Sequence, residues 1–372
     1  NKYNLASTKK ISHRQTQRAY TMMLGGGSPV CVLWLSLIVA VIGALNDDEQ
    51  ACSQQSFDTQ KFHPSVELVS GCRHGNFFVM RGDTYIGPSL KATGEWSEGE
   101  VVQIFEKFVS EGDVVLDIGA NVGAFTVVLG RLVGKKGVVH AFEPMPALHN
   151  LVVANAVLNG LGNVRAHNAF AGEKSSSKML EVVNANVLYD DTPSVWASRL
   201  RWPINFGSLS WRDEDLQPLK GTYAIDHAST LSVDELRLYR CDFMKIDVEG
   251  AELDVLSGAA KTIKTYLPAI YLEDDRGEEK SASITAVLKE LKYVCHSHQV
   301  PLYNHGNFKQ GDPWSHESAW KVGTAVLSSH NRICVHETEK ETLEKIVESW
   351  GTMPFGAPSP GVPPRTANLY QA

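Results

Sequence analysis

The sequence predicts a doubly wound, mostly parallel α/β sheet, and three observations carry that prediction. First, "DVVLDIGANVGAF" (113–125) is a short apolar run broken by Gly119 and Gly123, after which 124–132 resumes with helical spacing; that is a strand, a tight turn and a helix. Second, "GVVHAFEP" (137–144), "PALHNLVVANAVLNG" (146–160) and "NVRAHNAF" (163–170) continue as strand, helix and strand. Third, "CDFMKIDVEGAELDVL" (241–256) and "LPAIYLEDD" (267–275) read as two further strand ends loaded with acids. Strands alternating with helices in this way stack into a parallel sheet covered on both faces.

Taken in order, the chain opens with a basic tail (1–28) and an uncharged apolar run, "PVCVLWLSLIVAVIGAL" (29–45), close to the shortest length that spans a bilayer. Lys9, Lys10, Arg14 and Arg18 precede the run and Asp47, Asp48 and Glu49 follow it. The positive-inside bias therefore predicts a type II anchor with the rest of the chain in an ER or Golgi lumen. Gly43 and Ala44 keep a cleaved secretory signal open as the alternative, in which case the protein is secreted. The first residue is Asn, and Met22 and Met23 are alternative starts.

Residues 46–71 read as a linker and 72–335 as the folded domain. "GEWSEGEVVQIFEKFVSEG" (94–112) predicts a helix with Ser97 as N-cap and Glu100 completing a capping box. Residues 174–228 show no clear period and read as an insertion, in which Asn205, Phe206 and Gly207 are candidates to shape an acceptor cleft. "TLSVDELRLY" (230–239) predicts a helix, 281–292 another, 322–328 a last strand, 336–350 a terminal helix and 351–372 a disordered tail.

With 372 residues, 43% hydrophobic and 21% charged, the chain can bury one substantial core. The formal charge of -7 and the absence of a basic cluster in the folded part argue against a nucleic-acid partner. Outside the apolar run, Cys52, Cys72, Cys241, Cys295 and Cys334 form no C-x-x-C pair, so a thiolate metal site is not expected. Cys52 and Cys72 are a candidate disulfide in an oxidising lumen, with free buried thiols as the alternative.

The turn after the first parallel strand selects among ligands. A dinucleotide turn needs G-x-G-x-x-G/A, and Asn121 stands where its second glycine belongs. Asp117, at the strand end beside the helix N-terminus, opposes a pyrophosphate and favours a cation. Glu143 ends the second strand, where an acid accepts both ribose hydroxyls. The pattern Asp117, Gly119, Asn121, Gly123 plus Glu143 therefore indicates S-adenosylmethionine, which is cationic and carries no phosphate, over NAD. Asp117 capping the turn is the plainer alternative. Asn168, ending the third strand, lies beside the expected adenine.

Together, "DVVLDIGANVGAFTVVLG", "GVVHAFEPMPALHNLVVANAVLNGLGNV" and "MKIDVEGAELDVLSGAAKTI" resemble the FkbM family of class I S-adenosylmethionine-dependent methyltransferases over roughly residues 72–330. "GEWSEGE", "NFGS" and "PLYNHGNF" are similar to one branch of it, whereas "DPWSHESAWKVGTAVLS" departs from that branch and bears on acceptor choice. The resemblance implies a Rossmann-like fold, the cofactor, and methyl transfer to a hydroxyl, often of a sugar.

Removing a hydroxyl proton calls for a base near the methyl group. Lys245, Asp247, Glu249 and Glu273 fall at the carboxyl ends of strands, where open α/β sheets bind ligands. Asp247, Glu249 and Lys245 are the candidate catalytic residues, against a bland reading in which Glu249 meets a helix N-terminus and Asp247 pins a loop. His296 and His298 are secondary candidates for the base. No metal is expected, although Asp247, Glu249 and Glu273 are an oxygen-rich set of the kind that holds a divalent ion. Trp96 and Phe142 read as packing residues. The sequence thus predicts a membrane-anchored O-methyltransferase for a glycan or small acceptor, with a nicotinamide-dependent oxidoreductase or a non-catalytic relative as alternatives.

Overall fold

The computed structural model describes residues 66–81, 83, 85–96, 99–183, 225–301, 307–309 and 328–349. An antiparallel hairpin comes first, β1 (Val66–Cys72) and β2 (Gly75–Met80), followed by α1 (Ile86–Thr93) and α2 (Gly99–Phe108). It begins within the stretch read as linker: Val66, Val69 and Cys72 turn inward along β1 while the residues between them stay partly or fully exposed.

The alternation then becomes regular: β3 (Val114–Ile118), α3 (Ala124–Leu132), β4 (Val138–Phe142), α4 (Pro146–Leu158), β5 (Val164–His167). After β6 (Ala169–Ala171), β7 (Ser176–Val183) and β8 (Ile225–Leu231) come β9 (Phe243–Ile246), α5 (Glu252–Gly258), α6 (Ala260–Tyr266) and β10 (Ala269–Glu273). The last described elements are α7 (Glu278–Glu290), β11 (Tyr293–Pro301), β12 (Ser328–His336) and α8 (Lys340–Ser349).

The main sheet has the order β11-β12-β10-β9-β3-β4-β5. Its five strands from β10 to β5 are parallel; β12 runs antiparallel to β10, and β11, antiparallel to β12, points the same way as the five. The chain runs outward from β3 through β4 to β5, then returns to lay β9 on the other side of β3. The point between β3 and β9 is thus the topological switch, outside whose carboxyl ends a ligand crevice opens.

Strand alternation divides the core between the two faces. Leu116 and Ile118 of β3, with Met244, Ile246, Ile270 and Leu272, pack on Val255, Leu256 and Ile263 of α5 and α6 and on Ile284 and Leu288 of α7. Val115, Phe243 and Tyr271 face the other way, onto Ile104 and Phe105 of α2, Phe125 and Leu129 of α3, and Leu343 of α8. Burying each such side chain contributes about 1.5–3 kcal/mol. Asp117 and Lys245 share the second face, since each lies two residues beyond an inward partner there, Val115 and Phe243.

Several expectations are corrected. The helix predicted over 230–239 is only a 3-10 turn at Val233–Leu236. Thr230 and Leu231 extend β8 by pairing with Phe170 and Ala171, and Asp234 turns its carboxylate to the N–H groups of Lys261 and Thr262, so it serves α6 rather than a helix of its own. Part of the predicted insertion is a second sheet of order β6-β8-β7. The last described strand is Ser328–His336, in which Ile333 and Val335 pack beside β10; the predicted strand 322–328 lies, but for Ser328, outside the described residues. Cys72 is a free buried thiol whose Sγ donates to Leu90 O, while Cys295 and Cys334, directly opposite on β11 and β12, form a disulfide with Cα atoms 4.0 Å apart.

Residues 1–65, including the apolar run 29–45 and Cys52, lie outside the described residues, as do Ser97 and residues 205–207. Among the described residues no helix is long and apolar enough to cross a membrane.

Candidate active site

The turn between β3 and α3 is shaped by three residues in left-handed conformation. Gly119 has φ +84°, and a Cβ there would lie 1.7 Å from Asp247 O, so any side chain is excluded where the turn crosses the end of β9. Asn121 has φ 53°, an excursion its short side chain tolerates while its Oδ1 accepts the Val122 N–H at 2.7 Å. Gly123, φ +83°, starts α3, which no side chain caps.

Glu143, at the end of β4, is 4% exposed. Its Oε2 accepts the Asn121 N–H and its Oε1 the Met145 N–H, each at 2.9 Å. Burial pushes its pKa up to about 8, against the pull of those two donors and of Lys245. The carboxylate is therefore locked between turn and strand, and each oxygen keeps a second lone pair for one hydroxyl of a ribose. Asn168 donates to Glu143 O at 3.0 Å and Pro144 O at 2.9 Å, so it fixes the backbone carrying that carboxylate.

Asp117 is fully buried, and its counter-ion is internal. Oδ2 accepts the Thr126 hydroxyl at 2.6 Å, and Oδ1 lies 3.4 Å from Lys245 Nζ, the residue opposite it on β9. Lys245 donates to Gly119 O at 2.7 Å, sits 3.4 Å from Asp247 Oδ2 and 5.8 Å from the centre of the Phe125 ring. Burial opposes its charge, but Asp247 and Asp117 hold its pKa above the ordinary lysine value. Its surroundings thus place it as a fixed cation rather than a base. The chain Asp117, Lys245, Asp247 runs outward, its side chains 0%, 4% and 38% exposed, so its accessible end is Asp247.

Glu249, φ 53°, is ion-paired with Arg276, and its side chain is 16% exposed. Glu252, not Glu249, meets the start of the next helix, accepting the Gly250 N–H at 2.9 Å. Lys280 pairs with Glu252 and donates to Gly250 O, so two cations from the loop and helix after β10 clasp the loop after β9. Ligand atoms of Asp247, Glu249 and Glu273 lie within 4.8 Å of one another. That spacing suits an oxygen-coordinated divalent ion, but Arg276 already neutralises one member.

The histidines do not join this group. His298 is buried, bonded through Nδ1 to the Tyr271 hydroxyl at 2.9 Å, and burial brings its pKa down to about 4. His296 lies mid-strand opposite Ile333. Trp96 and Phe142 pack as expected, Trp96 edge-on to Tyr85 and Phe125 at 5.7 Å and Phe142 against His167 at 4.7 Å. Arg276 was missed by sequence reasoning; a lone guanidinium within "LEDDRGEE" was its only signal.

Residues 117–295 match the methyltransferase FkbM domain family. The chain is 29% identical over 150 residues to Methyltransferase 1 of Beauveria bassiana, covering 39% of this chain and 57% of that protein. It is 26% identical over 200 residues to 31-O-demethyl-FK506 methyltransferase FkbM of Streptomyces tacrolimicus, covering 52% and 76%. Among solved structures, a methyltransferase FkbM from Methylobacillus flagellatus aligns with TM-score 0.36 and 15% identity, over 61% of this chain and 47% of that one.

Proposed function

We propose, from the match of residues 117–295 to the FkbM methyltransferase domain family, that the protein transfers a methyl group from S-adenosylmethionine to a hydroxyl of a glycan or other small acceptor. The observation that carries this reading is Glu143, held by two backbone N–H groups at the edge of a turn in which Asn121 replaces the glycine a pyrophosphate needs. The residues fit the cofactor: a buried diol acceptor, an uncapped helix start and no basic residue within the turn sequence, the one ammonium against it, Lys245, being balanced by Asp117 and Asp247. When bound there, S-adenosylmethionine supplies an electrophilic methyl group. Glu143 orients the ribose, the Gly119 turn sets the depth of the ligand, and Asp247 takes the acceptor proton at a carboxylate oxygen. Lys245 anchors Asp247 to the floor of the crevice. Glu249, paired with Arg276, shapes the acceptor side.

We further propose that residues 29–45 hold the domain at a membrane of the secretory pathway. The Cys295–Cys334 disulfide supports an oxidising compartment. Calorimetric titration with S-adenosylmethionine and with NAD tests the cofactor, and a 14-dalton gain on candidate glycans, read by mass spectrometry, tests the acceptor class. Heat with NAD alone, or no mass gain on any hydroxyl acceptor, sinks the reading.

A further inference from the structure

Asn155, on α4, is fully buried, and it uses both donors of its amide and one lone pair of the oxygen. Its Oδ1 accepts the Phe78 N–H at 2.6 Å, and its Nδ2 donates to Phe78 O at 2.9 Å and to Val122 O at 2.7 Å. Phe78 belongs to the N-terminal hairpin, and Val122 lies in the turn between Asn121 and Gly123.

One helical turn further on, Asn159 repeats half of the pattern: Oδ1 accepts the Asn76 N–H at 3.1 Å and Nδ2 donates to Asn76 O at 2.8 Å. Four residues of helix rise about 6 Å, and two residues of strand about 6.6 Å. Two asparagines spaced by one helical turn can therefore stand in for a strand along the free edge of β2. Gly75 is a consequence, since a Cβ there would lie 1.8 Å from Asn159 Oδ1. Of the two, only Asn155 extends the ladder to the turn, where its donor holds the Val122 carbonyl, in the same turn as the Asn121 N–H that fixes Glu143.

We infer that Asn155 is a positioning residue for cofactor binding and that the hairpin of residues 66–80, which precedes the matched domain, is a working part of the cofactor site. The cofactor half of this inference rests on the proposed function. Asn155→Ala should weaken S-adenosylmethionine binding about 5- to 150-fold, the usual range of such coupling. Asn159→Ala, which loosens the same hairpin without touching the turn, should lower Tm but change affinity less than about threefold.

The ligand-free readout is independent of the cofactor: hydrogen exchange at the Asn121 amide should speed up in Asn155→Ala and not in Asn159→Ala. If the alanine variant does not fold, Asn155→Asp keeps the acceptor for Phe78 and removes both donors. Coupling is reciprocal, so S-adenosylmethionine should also slow exchange of the Phe78 amide in the wild-type chain. A wild-type chain that binds no S-adenosylmethionine overturns the cofactor reading alone. Unchanged Asn121 exchange in a folded Asn155 variant, or equal losses of affinity in the Asn155 and Asn159 variants, overturns the positioning role.

Discussion

The crevice has two halves built by different means. At the ends of β3 and β4, the polar groups are held by backbone: Glu143 by two N–H groups, the turn by positive-φ residues, and Asn168 on carbonyls. At the ends of β9 and β10, side chain answers side chain: Lys245 with Asp247, Arg276 with Glu249, Lys280 with Glu252. In a contact to backbone only one of the two partners can be changed by substitution, whereas in an ion pair both can. The first half thus suits a constant cofactor and the second a variable acceptor. Asp117 and Lys245 join the halves below the crevice floor.

Breaking the acceptor half at its exposed end should have the largest effect. Asp247→Asn keeps the shape and removes the proposed base, so turnover should fall about 10²- to 10⁴-fold while cofactor affinity moves less than roughly threefold. Turnover near wild type in that variant would redirect the search to Glu249 and Glu273. In the cofactor half, Glu143→Gln can serve only one of two N–H donors, and it should cost about 1.5–3 kcal/mol of S-adenosylmethionine binding, with turnover at saturating cofactor largely kept.

A smaller effect lies outside both halves. His298 titrates near 4 in the fold against 6.5 unfolded, chiefly because burial disfavours the cation. Between those values the unfolded chain binds more protons, so stability is full above pH 6.5 and is lost as pH falls towards 4. The loss over that window is about 3 kcal/mol, and His298→Gln should flatten that part of a Tm-against-pH curve. His140, also held near 4 by burial, leaves a residual slope. Smallest is Arg276→Gln: its ion pair with Glu249 is partly exposed, so Tm should move by less than about 1 kcal/mol equivalent. The acceptor KM, not that of the cofactor, should shift.

The same division explains what was legible in the sequence. Gly119, Gly123 and Glu143 announce the cofactor half because positive φ and a strand-end acid leave local signatures. The acids of the other half were visible, but their partners were not: Asp117 looked free to meet a ligand's cation until the register of β3 on β9 set Lys245 beside it. The Cys295–Cys334 pair needed the antiparallel register of β11 on β12, which no local pattern encodes. The hairpin escaped notice because Asn155 and Asn159 read as ordinary helix residues until the edge of β2 lay against them.

The central claim, that cofactor binding resides in the backbone-held half and chemistry in the ion-paired half, is tested most directly by calorimetric titration of S-adenosylmethionine into the wild type, Glu143→Gln and Asp247→Asn. The account predicts tight binding by the wild type, a loss of roughly 10- to 150-fold in Glu143→Gln, and near wild-type affinity in Asp247→Asn. Equal losses in both variants, or a Glu143→Gln protein that binds like the wild type, would contradict it.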